Sequence, residues 1–282
     1  MPVAKIRGAS MVYEVLGKSG PWFALSPGGR RGGEEVKSLA QRVADQGFRV
    51  LIYDRRNCGA SDVVIDGDDA EFEIWADDLY ELMTQLKALP AYIGGASSGC
   101  RLSLLFALRH PEAVRGLLLT RVTGGRFACE RLAENYYGQY MKAAETGGMA
   151  AVCEMEHWRD RIAANPANRA KLMAAEPKHF IAVFGRWRVP FLESINLPVI
   201  GATEQQLRSI KVPTQVIPGH DRTHNRATGI AAAKLIPGAE LVDVMGEDVD
   251  ADLAVEAWEE KEGELAALFV DFMRRAEKKR AA

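Results

Sequence analysis

The chain has 282 residues, 48% of them hydrophobic and 26% charged, with a formal net charge of -2. That is enough apolar material for a buried core, but it builds no basic field for nucleic acid or an anionic membrane, and no apolar run approaches the roughly 18 residues that cross a bilayer. Four scattered cysteines (Cys58, Cys100, Cys129 and Cys153), with no CxxC pair and no charged-then-apolar leader in MPVAKIRGASMVYEV, lead to the expectation of a reduced, cytoplasmic setting.

Strand-like and helix-like segments alternate along the first half. WFALS (22–26) reads as a strand, EEVKSLAQRVADQG (34–47) as a helix, FRVLIYD (48–54) as a strand and IWADDLYELMTQLKAL (74–89) as a helix. AYIGG (91–95), CRLSLLFALRHP (100–111) and VRGLLLT (114–120) continue the alternation as strand, helix and strand. The helices rest on period: Val36, Leu39, Ala40 and Val43 share one stripe, and Leu79, Leu82, Met83 and Leu86 another. FRVLIYD is continuously apolar, as a strand buried on both faces must be. The pattern predicts a mainly parallel sheet with helices on both faces.

From residue 124 to 207 the chain turns helical and aromatic, with ENYYGQYM, HWRDRIAANP and FGRWRVPF and no clear strand. Two more strand-like runs, VPTQVIPG (212–219) and AELVDVMG (239–246), follow, and EKEGELAALFVDFMRR (260–275) reads as a closing helix. The expected organisation is a core of residues 1–123 and 208–282, interrupted by a helical cap at 124–207.

Ligands of open parallel sheets bind outside the carboxyl ends of the strands. Four loops there carry unusual residues: PGGRRGG (27–33), RRNCGASD (55–62), the turn around Ser97 and HDRTH (220–224). The third, GGASSGC (94–100), has the form G-x-S-x-G between a strand and a helix, a spacing that brings two backbones close together.

With these motifs the chain resembles the α/β-hydrolase superfamily over nearly its whole length. Gly95, Ser97 and Gly99 match the nucleophile elbow, Asp54 to Asp62 is similar to the family's D-x-R-G-x-G-x-S segment, and LRHPEAVRGLLL resembles the stretch after the elbow helix. The family's His-Gly after its first inner strand is here Pro27 and Gly28. The resemblance implies an α/β-hydrolase fold, Ser97 as nucleophile, and an oxyanion hole formed by the backbone N–H groups of Gly29 and Ser98. Arg30, the nearest cation, is the candidate to grip a substrate carboxylate, although the plainer reading of PGGRRGG is a glycine turn with two solvated arginines.

Serine is a poor nucleophile until a base takes its proton. Asp221 matches the place of the family's acid, whereas the loop that holds the family's histidine reads GEDVDADL here and has none. His110 ends a helix, His157 and His179 lie in the helical insertion, and His220 and His224 flank Asp221. His224 is the best base available, which makes an atypical catalytic triad of Ser97, His224 and Asp221 the leading mechanism. Glu247, Asp248, Asp250 and Asp252 could instead supply a base, attract a cationic substrate or hold a metal, but a solvated acidic loop is the commoner case.

The aromatic residues of the insertion, Tyr136, Tyr137, Tyr140, Trp158, Phe184, Trp187 and Phe191, are candidates to shape an apolar pocket or merely to pack the cap onto the core. The expected protein is a hydrolase-like enzyme for a small ester, lactone or related carbonyl compound, with no cofactor and no metal. Its expected partner is a small molecule, with no nucleic acid or membrane, and a homo-oligomer is left open. The alternatives are a non-catalytic ligand-binding homologue and a non-hydrolytic lyase of the same fold.

Overall fold

The apolar runs pair as strands of one sheet in the computed structural model, which describes residues 1–281. In chain order the strands are β1 (Val3–Ile6), β2 (Ala9–Leu16), β3 (Trp22–Ser26), β4 (Arg49–Tyr53), β5 (Ala91–Ala96), β6 (Val114–Thr120), β7 (Thr214–Ile217) and β8 (Glu240–Leu241). Their spatial order is β1-β2-β4-β3-β5-β6-β7-β8, parallel from β4 to β8.

Two features depart from the sequence-based expectation. β1 and β2, which alternation alone did not single out, form an antiparallel hairpin at one edge of the sheet. Arg7 and Gly8 turn it with φ of 42° and 85°, the positive pair that a two-residue turn with right-handed strand twist requires. The run AELVDVMG pairs only through Glu240 and Leu241. Asp243 Oδ1 accepts from the Gly246 N–H at 3.0 Å and closes a turn that ends the strand.

Helices α1 (Lys37–Ala44), α2 (Glu71–Gln85) and α3 (Ser98–Arg109) connect the first parallel strands. Between β6 and β7 lie α4 (Gly125–Ala133), α5 (Gln139–Glu154), α6 (Glu156–Ala164), α7 (Ala167–Ala174), α8 (Pro177–Glu193) and α9 (Glu204–Ser209). After β7 come α10 (Arg226–Leu235), α11 (Glu256–Glu259) and α12 (Glu262–Ala281). Successive strand residues face opposite sides of a sheet, and both sides are dry here. Leu51, Ile93, Leu117 and Leu119 join the core beneath α2 and α3, while Val50, Ile52, Tyr92 and Leu118 join a second core with Leu39, Val43, Leu265 and Phe269 of α1 and α12. Burying each such side chain contributes about 1.5–3 kcal/mol.

The helical insertion shares the first of these cores. Its aromatic side chains stack chiefly on one another: Phe180 lies 4.0 Å from Phe184, Tyr137 5.5 Å from Phe191 and Tyr140 5.7 Å from Trp158, centroid to centroid. A π-helical turn, Glu134–Gly138, joins α4 to α5. Polar bonds tie the insertion to the loops of the sheet: Asn168 Oδ1 accepts from Val63 N–H at 2.9 Å, and its Nδ2 donates to Ser61 O at 3.0 Å. Trp187 Nε1 donates to Asp69 O at 3.1 Å. Among the described residues, no helix is long and apolar enough to cross a membrane.

Candidate active site

Ser97 sits on the sharp turn between β5 and α3 with φ 56° and ψ -113°, a conformation that costs a non-glycine residue about 1–3 kcal/mol. Its neighbours explain the flanking glycines. A Cβ on either Gly95 or Gly99 would run into the carbonyl oxygen of Ser26 on β3, so helix and strand approach this closely only without side chains. The Ser97 N–H donates to Thr120 O at 3.0 Å, which fixes the turn against β6.

The loop after β7 delivers the imidazole. His224 Nε2 lies 2.7 Å from Ser97 Oγ, and His224 Nδ1 lies 3.0 and 3.1 Å from the two oxygens of Asp221. An ionised carboxylate only accepts, so Nδ1 carries the proton and the Nε2 lone pair faces the serine hydroxyl. Asp221 is itself held by the N–H groups of Thr223 (3.0 Å), His224 (2.8 Å) and Ala254 (3.1 Å). Burial alone would raise its pKa, but the His224 bond and backbone donors outweigh it and keep the carboxyl at about 2. Burial lowers the pKa of His224 below its ordinary value of about 6.5, against the upward pull of Asp221, so the imidazole is neutral at pH 7.

Gly29 has a φ of 47°, open to glycine at little cost, and its loop is pinned from behind. Arg55 Nη2 donates to the carbonyls of Gly28 (3.3 Å), Gly29 (3.0 Å) and Arg31 (3.2 Å). Among the described residues the N–H groups of Gly29 and Ser98 have no acceptor. Sequence reasoning missed Arg55: only its place in the loop after β4, beside PGGRRGG at a parallel-sheet edge, hints at it.

A cavity of about 200 Å³ opens over Ser97 and His224, lined also by Gly29, Arg121, Arg131 and Tyr136. A second, of about 370 Å³, shares Arg31, Arg121 and Val255 with it but does not reach Ser97. Of the seven aromatic candidates only Tyr136 lines the Ser97 cavity; its hydroxyl lies 3.0 Å from Ser98 Oγ. The others are packing residues, because the insertion buries them against each other before they can reach the cavity.

Arg30 requires a correction. Its guanidinium is buried and forms a two-pronged ion pair with Glu71 at 2.6 and 2.5 Å, and Glu71 also accepts from Tyr137 Oη (2.9 Å) and Asn57 Nδ2 (3.1 Å). Arg30 therefore fastens the loop to α2 and the insertion and is not free to grip a substrate. The acidic loop is a solvated one: Glu247, Asp248, Asp250 and Asp252 are exposed, and Asp252 pairs with Arg222 at 2.8 Å. Among the described residues, no group of three or more His, Cys, Asp or Glu side chains is placed to hold a metal ion. The backbone of this stretch instead clasps the histidine loop, Val249 N–H donating to His220 O (2.7 Å) and Arg222 N–H to Ala251 O (2.9 Å).

The remaining histidines lie elsewhere. His110 bonds Asp77 at 2.9 Å, His157 is half-buried against Trp158, His179 is exposed on α8, and His220 packs on Trp258.

Known proteins share this fold. The family model for the alpha/beta hydrolase fold matches residues 25–124. The uncharacterised hydrolase YraK of Bacillus subtilis is 32% identical over 114 residues, a stretch spanning 40% of this chain and only 41% of YraK. The non-heme chloroperoxidase CPO-A1 of Kitasatospora aureofaciens is 25% identical over 258 residues, 86% of this chain and 89% of that protein. Among solved structures, the enol-lactonase of Burkholderia xenovorans LB400 superposes with a TM-score of 0.64 at 22% identity, over 97% of this chain and all of that one (100%). The chain has the alpha/beta hydrolase fold, and the family model for that fold matches its residues 25–124.

Proposed function

We propose that the protein is a serine hydrolase for a small ester, lactone or related carbonyl compound. The observation that carries this reading is the 2.7 Å approach of His224 Nε2 to Ser97 Oγ, with Asp221 on the other ring nitrogen. Ser97 Oγ attacks the carbonyl carbon while its proton passes to His224 Nε2, and the oxyanion faces the N–H groups of Gly29 and Ser98. The carbon–oxygen bond to the alcohol then breaks, and the departing oxygen takes the proton from His224. Water attacks the acyl-enzyme by the same route in reverse, giving its proton to His224, which returns it to Ser97. The helical insertion serves as the cap over this site.

The non-catalytic reading rested on the lack of a base, and no observation now favours it. A lyase would need a further acid–base group, and the acidic loop that could have supplied one faces solvent. A serine-directed fluorophosphonate tests the proposal. It should label the wild-type protein stoichiometrically and spare Ser97→Ala and His224→Ala, with short-chain ester hydrolysis lost in parallel. Labelling that persists in Ser97→Ala would refute the assignment.

A further inference from the structure

The charge of the cavity over Ser97 indicates what kind of substrate fits it. Three arginines line it, Arg31, Arg121 and Arg131, and no carboxylate does. Arg31 is committed at 3.1 Å to Glu35, which faces the neighbouring cavity. Arg121 and Arg131 have no carboxylate within 4.0 Å among the described residues, and Arg121 is only 8% exposed. A cation taken this far from water with no carboxylate at ion-pair distance is costly, and the cost falls when an anion binds beside it.

Arg121 is also positioned. It directly follows β6, its φ of 55° is strained for a non-glycine residue, and its N–H donates to Ile217 O at 2.8 Å. Its guanidinium carbon lies 5.5 Å from the Trp258 ring centre. Its Nη2 would stand 3.6 Å from a Cβ on Gly28, as would Glu35 Oε1, which puts the guanidinium against the oxyanion loop. Glu35 offsets part of this charge. Arg131 on α4 adds a second cation from the insertion side.

We infer that the site selects substrates bearing a carboxylate, bound between Arg121 and Arg131 while the scissile carbonyl lies at Ser97. This rests on the hydrolase reading for the position of the carbonyl, but not for the anion subsite itself. A planar guanidinium matches a carboxylate with two parallel hydrogen bonds, which an ester carbonyl cannot offer. The carboxylate preference expected from PGGRRGG is thus transferred from Arg30 to residues that no motif marks.

The test uses Ser97→Ala protein, which cannot turn substrate over, titrated calorimetrically with monomethyl succinate and with dimethyl succinate. The monoester should bind at least about tenfold tighter, an advantage that shrinks as salt is raised. Arg131→Gln in the same background should remove about tenfold of monoester affinity, and Arg131→Lys should restore part of it. Equal affinity for the two esters, or an advantage untouched by Arg131→Gln and by salt, overturns the inference. Turnover by the wild type is scored separately. Hydrolysis without any monoester preference leaves the Ser97 reading standing and removes the anion subsite; monoester-selective binding without hydrolysis does the opposite.

Discussion

His224 is buried, neutral at pH 7 and raised in basicity only by Asp221, so its protonation state sets the working range of the proposed reaction. Its pKa in the fold lies below the ordinary value, so kcat/KM should rise with slope one through the acidic range, level off by about pH 7 and gain nothing between pH 7 and 8. A pH–rate profile that keeps climbing to pH 8 would contradict the neutral imidazole. The stability linkage has the same direction: a depressed histidine favours the fold above its unfolded pKa of about 6.5, and that contribution is lost as pH falls through the folded value. His224→Ala should lower kcat by roughly 10⁴-fold or more, measured on any ester the wild type cleaves. Behind the oxyanion loop, Arg55→Met removes the donor that gathers three carbonyls. The expected loss is about 10- to 100-fold in kcat with KM little changed, since the loop N–H groups act mainly on the transition state.

At the level of elements, the elbow depends on how closely β3, β5 and α3 approach. Gly99→Ala puts a methyl against Ser26 O, and overpacking of this kind costs about 1–3 kcal/mol, readable as a lowered urea midpoint together with lost fluorophosphonate labelling. This part of the fold was legible because its causes are local. G-x-S-x-G between a strand run and a helix run specifies the turn, and VRGLLLT maps residue for residue onto β6. The hairpin of β1 and β2 was passed over because Ala9–Leu16 is mixed in burial along its length and carries no clean alternation. AELVDVMG looked longer than β8 because Val244 and Met245 pack against the α1 and α12 core from a loop, beyond the last backbone bond to β7, Val242 N–H to Val216 O at 3.0 Å. D-x-x-H marked His224 as a candidate, but the reach from that turn to Ser97 is set by packing across 127 positions and leaves no trace in spacing. Arg30 misled for the opposite reason: its partner, Glu71, lies 41 residues away on a helix that buries a second carboxylate, Asp78, against a different arginine, Arg56.

Across the whole molecule, the insertion and the sheet are joined by the Arg30, Glu71, Tyr137 and Asn57 network and by one continuous core. Glu71→Ala leaves Arg30 buried without its counter-charge and should cost about 3–5 kcal/mol, with both regions unfolding in one transition in urea. Separate transitions would mean that the insertion is an independent unit. At the far edge, the doubly substituted Glu247→Gln, Asp250→Asn protein should keep kcat/KM within about twofold, because those carboxylates face solvent. That loop also bears on ancestry. With the acid and the imidazole on a single turn three residues apart, one short segment carries two of the three groups, and the chain beyond β8 is released from supplying either. The final loop then contributes mainly its backbone, the Ala254 N–H that holds Asp221, and two apolar side chains, Leu253 and Val255, at the cavity. A homologue with no histidine after its last strand is not, for that reason alone, a dead enzyme.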